Sequence, residues 1–389
     1  MTKSSKAKPK VLVLAPSLKS VGGVQNYTVT LFDALQAILG NDRVRMIVVP
    51  DEPKLRQDGR LVLPFSVKLR FFFSALMKGI AWSPDLMICA HVGLAPAAHL
   101  VSKLSRAPYW LVLYGIEVWG ELSVAKRTAL RAAERYVSIT RFTLEATVAR
   151  HGIDNPRAFI LPPSLPKGPL RSPARSYAVP GDASRPMVLT VGRMAAAERY
   201  KGHDVMIEAW PLVLRRMPDA VYWIVGSGDD SKRLELRVRE LGIAESVHFA
   251  GAVSAEELDV CYTLCRVFAM PARTDLGSTV PCGEGFGIVF LEAMAHGKPV
   301  IGPSVGAPAE FIRSGEHGLL VDPTDPIEIA QAVVELLEDP ERARRMGVAG
   351  REWVASEFSF ERFSDRLRNG LQSWPSNQQR RNQKECESW

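Results

Sequence analysis

Glu284 and Glu292, with seven residues between them in EGFGIVFLEAMAHG, are the side chains of this sequence whose type and spacing speak most directly of chemistry. Gly285 and Gly287 let the backbone pass close to a ligand. The apolar run after them reads as a helix whose first N–H groups lack partners and carry partial positive charge. A helix start of this kind binds phosphate. Glu284 lies just before the helix and Glu292 about a turn and a half inside it. One carboxylate can therefore reach a sugar while the other accepts hydrogen bonds from hydroxyls further along the same ligand. Acidic residues near a helix N-terminus are also a common favourable charge arrangement. FLEAM, however, surrounds Glu292 with apolar residues, and a buried carboxylate without a partner is expensive.

Upstream, GRMAAAERYKGHD places Arg193 at the close of a predicted strand and Lys201 in the loop beyond. At the C-terminal end of a parallel strand two cations can straddle a diphosphate, each charge-assisted bond contributing roughly 1.5–3 kcal/mol. Alone, an Arg and a Lys in a loop are usually solvated surface; with the Glu284 helix they make a site. His91, in ICAHVGLAP, also ends a strand on the ligand side and either lines a pocket or packs. Gly22 and Gly23, after the first strand, read on their own as an ordinary turn. GPSVG, residues 302–306, has the spacing of a serine-hydrolase elbow, but an acid and then a histidine must follow the serine. His317 is the last histidine and precedes Asp322 and Asp325, which rejects Ser304 as a nucleophile. There is no Asp-x-Asp pair and no His-Glu-x-x-His, so no metal is expected.

The elements that must position these residues recur in a regular rhythm. VLVLAP, RMIVVP, DLMICAH, YWLVLYG and RYVSIT are short apolar runs separated by segments able to hold helices, the pattern of a doubly wound parallel sheet. Residues 161–186 are too proline-rich for helix or sheet. The rhythm restarts with MVLTVGR, AVYWIVGSG, SVHFAG, RVFAMPAR, PVIGPS and GLLVDP, giving a second such domain. Ser254 and Glu257 have capping-box spacing. FSFERFSDRLRNGL has helical periodicity, and the polar tail after it does not pack. The expected division is 1–165, a linker at 166–186, 187–355, a helix at 356–372 and a disordered tail at 373–389.

The chain has 389 residues, 47% hydrophobic, enough for about two domains. Five cysteines without a Cys-x-x-Cys pair read as reduced thiols. No apolar run reaches the roughly 18 residues of a membrane span, and the lysine-studded start lacks the apolar core of a signal peptide, so a cytoplasmic protein is expected. A net charge of +7 and a pI near 9.2 favour anionic partners. Nucleic acid is not expected among them, for want of any zinc-finger spacing or basic helix. VKLRFFFSALMKGIAW mixes apolar residues with Lys68, Arg70 and Lys78 and either covers a sheet or lies on an anionic membrane face.

Arg193, Lys201, Glu284 and Glu292 together resemble the donor site of the family-4 retaining glycosyltransferases, whose hallmark is the Glu-x7-Glu spacing, and GAPAEFIRSGEHGLLVDP matches that family's next block. The resemblance runs from about Val11 to Glu357. It implies a GT-B fold, two Rossmann-like α/β domains facing a cleft, with the last helix crossing back to the first domain. It implies that Arg193 and Lys201 hold the donor diphosphate, Glu284 contacts the transferred sugar and Glu292 holds the ribose. Gly285, Phe286, Gly287 and Ile288 would complete the cradle, Gly22 and Gly23 would approach the diphosphate, and the backbone near Val253 would contact the base. Where many members carry a histidine this chain has Tyr114, followed by Glu117 and Trp119. These line the acceptor side with His91, or Tyr114 and Trp119 are packing residues. A tyrosine hydroxyl hydrogen-bonds a sugar but is no base near neutral pH without a large pKa shift. Pro162, Pro163 and Ser164 stand where the family often has Pro-Asn-Gly. The expected activity is transfer from a UDP- or GDP-sugar to a glycan or lipid-linked acceptor, with no cofactor, in polysaccharide or glycolipid assembly at or near the cytoplasmic membrane face. The alternative is a silent protein of the same fold that binds the nucleotide sugar without turnover.

Overall fold

Val11–Ala15 forms the first strand, β1, and every one of its side chains is buried, as a central strand covered on both faces requires. The computed structural model describes residues 8–19, 22–50, 54–55, 61–62, 65–153, 157–165 and 185–374. Most of the expected linker, 166–184, and the tail beyond Trp374 lie outside them. The chain divides into two compact units, 1–166 with 360–389, and 167–359.

In the first unit β2 (Val44–Val48), a short hairpin of β3 (Lys54–Leu55) and β4 (Leu61–Val62), β5 (Leu86–Cys89), β6 (Tyr109–Leu113), β7 (Arg135–Ser138) and β8 (Ala158–Ile160) follow β1. The main sheet is parallel in the order β2-β1-β5-β6-β7-β8. Helices α1 (Gly23–Leu39), α2 (Phe65–Trp82), α3 (Ala95–Ser105), α4 (Ile116–Trp119), α5 (Val124–Arg131) and α6 (Arg141–His151) complete it. Leu12, Leu14, Met87, Leu111 and Leu113 lie in its core.

The second unit repeats the plan. β9 (Met187–Val191), β10 (Val221–Val225), β11 (Val247–Gly251), β12 (Val267–Ala269), β13 (Val300–Pro303) and β14 (Gly318–Val321) form a parallel sheet in the order β11-β10-β9-β12-β13-β14. Its helices are α7 (His203–Arg216), α8 (Ser231–Glu240), α9 (Ala255–Leu264), α10 (Ile288–Ala295), α11 (Pro326–Glu338) and α12 (Pro340–Glu357). α9 opens with the capping box: the Glu257 N–H donates to Ser254 Oγ at 3.2 Å and the Ser254 N–H to Glu257 Oε2 at 2.7 Å. In each sheet the strand order reverses beside the first strand, at β1/β5 and at β9/β12. Crevices at the carboxyl ends of such strands are where open α/β sheets bind ligands. His91 follows β5, and Arg193 follows β9 by two residues.

Three features differ from the sequence reading. β8 and the β3/β4 hairpin were not expected; their two- and three-residue strands carry too little alternation to register. The stretch from Phe358 is not one helix either, because Phe358 caps α12 through its N–H to Val354 O and the chain restarts as α13 (Phe360–Gln372). α13 packs within the first unit. Phe363 meets the Tyr27 ring edge-on at 5.6 Å, Arg135 donates to Gly370 O at 3.2 Å and to Ser373 O at 2.9 Å, and Trp374 stands 6.0 Å from Trp110.

Gly202 joins the Lys201 loop to α7 at φ +83°, and a Cβ there would stand 2.3 Å from Pro271 O. The backbone conformation alone costs a side-chain-bearing residue about 1–3 kcal/mol. Gly202→Ala is expected to lower the calorimetric unfolding midpoint by several degrees, at about 2–4 °C per kcal/mol.

Candidate active site

The loop after β9 is held from both sides. Arg199 donates through Nε and Nη2 to Asp230, at 3.1 and 2.7 Å, and Arg233 grips the same carboxylate. Arg233 first, and then Arg199, hold the Asp230 carboxyl down to about 2 against the opposing effect of burial. On the other side Arg273 donates to Arg199 O and to Asp204 Oδ2, at 2.5 and 3.0 Å. Lys201 thus ends a 3-10 turn, Ala196–Lys201, whose flanks are pinned.

Lys201 Nζ lies 2.6 Å from Glu284 Oε1 and 3.8 Å from Glu198 Oε2, all three side chains being mostly buried. Glu198 also pairs with the Arg193 guanidinium, which is 76% exposed. Arg193, Lys201 and Glu284, up to ninety-one positions apart in the chain, therefore stand together, with Glu198 as the link that sequence reasoning missed. Its segment, AAAERY, looks like ordinary surface.

Gly287, at φ +88°, turns the chain into α10, which has no side-chain cap. Just before it Phe286 is buried, its ring stacked on Phe311 at 4.6 Å, and this fixes the backbone from Glu284 to Ile288 at the helix start. Glu292, the fifth residue of α10, has the partner its apolar surroundings call for: the Tyr262 hydroxyl of α9 donates to Oε2 at 2.8 Å. Burial pushes the Glu292 carboxyl up and the tyrosine's hydrogen bond opposes it. His296 stacks on Tyr262 at 5.1 Å, its Nδ1 2.8 Å from Glu292 O and its Nε2 3.5 Å from Asp259. Tyr262 is a second missed residue; an aromatic within an amphipathic helix carries no sign of its own that it braces a carboxylate. Val253 lies between β11 and α9, partly buried beside the capping serine.

In the first unit Gly22 caps α1 and Gly23 begins it, again without a side-chain cap, and a Cβ on Gly23 would meet nothing within 4 Å. Tyr114, after β6, is buried. Its hydroxyl is 3.5 Å from Thr28 Oγ1 of α1, and its ring lies between Tyr27, edge-on at 5.3 Å, and His91, stacked at 6.4 Å. Burial drives the Tyr114 hydroxyl far above its ordinary range, so it stays protonated. His91 Nδ1 accepts the Gly93 N–H at 3.0 Å. Burial, and then Lys126, lowers its pKa to about 4, so the ring is neutral at neutral pH. Glu117 accepts the Tyr114 N–H at 2.7 Å and is pushed up by burial, which ties it to the local backbone. Trp119 is buried against Phe142.

Ser304 is exposed after β13, whereas His317 is buried and stacked on Trp353 at 6.0 Å, so the elbow has no base. Among the described residues no cluster of His, Cys, Asp or Glu is disposed to hold a metal ion, and Cys89, Cys261, Cys265 and Cys282 are free thiols. No helix among them is long and apolar enough to cross a membrane.

Known proteins share both the fold and the sequence. The structure is similar to sucrose-phosphate synthase of Thermosynechococcus elongatus, with TM-score 0.73 and 22% identity over 92% of this chain and 98% of that one. It is also similar to Anabaena HepE in complex with UDP, with TM-score 0.71 and 19% identity over 94% and 100%. These likenesses establish the GT-B fold. The model of the family "Glycosyl transferases group 1" matches residues 179–353. The GDP-mannose-dependent alpha-(1-6)-phosphatidylinositol monomannoside mannosyltransferase of Mycolicibacterium smegmatis is 38% identical over 305 residues, 75% of this chain and 78% of the relative. The protein of the same name from Mycobacterium tuberculosis H37Rv is 35% identical over 71% and 73%. The chain therefore belongs to the glycosyl transferases group 1 family, and it is a glycosyltransferase that uses a nucleotide-sugar donor.

Proposed function

We propose that this enzyme transfers mannose from GDP-mannose, with retention of configuration, to a phosphatidylinositol-mannoside type of glycolipid. The observation that carries the reading is the junction of Arg193, Lys201 and Glu284 at the uncapped start of α10, in a chain 38% identical to an enzyme of that name. As the sugar departs, negative charge collects on the nucleoside diphosphate and positive charge on the anomeric carbon. Arg193, Lys201 and the N–H groups at the start of α10 stabilise the first, which lowers the barrier without a metal ion. Glu284 contacts the sugar and orients Lys201. Glu292, braced by Tyr262, accepts the ribose hydroxyls, and the backbone at Val253 meets the base. The acceptor hydroxyl attacks on the face that the diphosphate vacates, and the diphosphate takes its proton. Neutral His91 and protonated Tyr114 serve the acceptor as hydrogen-bonding groups, not as bases. Gly22 and Gly23 offer uncapped backbone to a phosphate.

A lipid acceptor must be met at a bilayer, and the first unit has a face suited to it. Leu69, Phe73, Met77 and Ile80 lie along one side of α2 and are 41–64% exposed, and Leu100 and Leu104 of neighbouring α3 are also exposed. Neither helix contains an acidic residue, while Arg70, Lys78 and Lys103 are exposed among these apolar side chains. Such a surface lies on anionic lipid with its apolar side chains in the headgroup boundary.

The test is transfer of labelled mannose from GDP-mannose into solvent-extractable lipid in vesicles containing phosphatidylinositol monomannoside. The reading expects label in lipid with GDP-mannose and little with UDP-glucose. Donor binding with neither transfer nor release of free sugar would instead mark a silent protein.

A further inference from the structure

The two cations assigned to the donor diphosphate already hold an anion. Glu198 sits at the kink of the 3-10 turn, φ −119° and ψ 25°, five residues after Arg193 and three before Lys201. One carboxylate oxygen pairs with the Arg193 guanidinium; the other, buried and without a hydrogen-bond donor, lies 3.8 Å from Lys201 Nζ. A phosphate oxygen bound by the same two groups competes with that carboxylate, since two anions gathered on the same donors repel each other. Counted with Glu284, the four side chains sum to zero formal charge, a poor host for a diphosphate until one carboxylate gives way.

We propose that Glu198 is a positioning residue that stands in for the donor's diphosphate, keeping Arg193 and Lys201 gathered in the empty enzyme and competing with the nucleoside diphosphate for them. This rests on the donor-site reading above. The two carboxylates are not equivalent. Lys201 is held at 2.6 Å by Glu284, independently of Glu198, and the largely exposed Arg193 is free to swing from carboxylate to phosphate. Glu198 is thus the one to yield on binding and to reclaim the cations as product leaves. The design weakens nucleotide binding and quickens its release.

The experiment measures GDP binding by calorimetry, with single- and multiple-turnover transfer, for the full-length wild type, Glu198→Gln and Glu198→Asp. Glu198→Gln is expected to bind GDP about tenfold tighter, the scale of one charge-assisted hydrogen bond. Its multiple-turnover rate should fall while the single-turnover rate holds, and Glu198→Asp, which restores the charge, should return both toward wild type. A merely structural role would loosen nucleotide and lower both rates. GDP affinity unchanged or weaker in a Glu198→Gln protein with wild-type melting overturns the inference and leaves the donor site standing. No GDP binding by the wild type would overturn the donor-site reading itself.

Discussion

Lys201→Ala is expected to lower kcat by about 10²–10³-fold, the loss that follows removal of one preorganised group facing developing charge. Glu284→Gln should fall in the same range for a different reason. The ammonium then loses the negative charge of its partner at 2.6 Å, and the sugar loses a carboxylate acceptor. Both variants should fold, because Lys201 and Glu284 hang from a loop and a helix start that Asp230, Arg273 and Phe286 hold in place without them. Initial rates at saturating donor, beside circular dichroism melts, make the comparison. Wild-type kcat in either variant would remove the junction from the mechanism. Arg216→Ala, which breaks an exposed pair with Glu338, is the control and should leave the rate unchanged.

The other large effect is expected on α2. Phe73→Glu with Met77→Glu removes two side chains from the apolar face, each contributing roughly 1.5–3 kcal/mol when buried. Partition onto anionic vesicles should weaken by about 10²-fold or more in flotation assays. Arg70, Lys78 and Lys103 add about 1 kcal/mol each near an anionic surface. Raising the salt or omitting anionic lipid should therefore weaken wild-type binding as well. Transfer to a short-chain soluble acceptor should be unaffected, which separates docking from chemistry. Equal partition of wild type and double variant would assign the face another role.

What could be read from the sequence follows from how local each signal is. Glu284, Gly287 and Glu292 lie within one loop and one helix, so their spacing already fixes their geometry. The buried strands announce themselves through runs such as VLVLA, where both faces are covered. Glu292's partner could not be found this way, because Tyr262 comes from another helix. Glu198 was hidden for the same reason: its meaning depends on where a kinked turn sets its carboxylate. The surroundings of Tyr114 draw on α1 and on the ends of β5 and β6, three distant stretches of chain, so sequence left it undecided between packing and acceptor contact. Phe358 also misled. An aromatic in helical register reads as helix, yet it ends one.

The clasp made by α13 sets an order of birth. β6, β7 and α1 are made early, but Trp110, Arg135 and Tyr27 wait for Trp374, Ser373, Gly370 and Phe363. A ribosome must therefore finish the whole second unit before the first can close, leaving that half of the nascent protein open to chaperones and proteases until α13 has emerged.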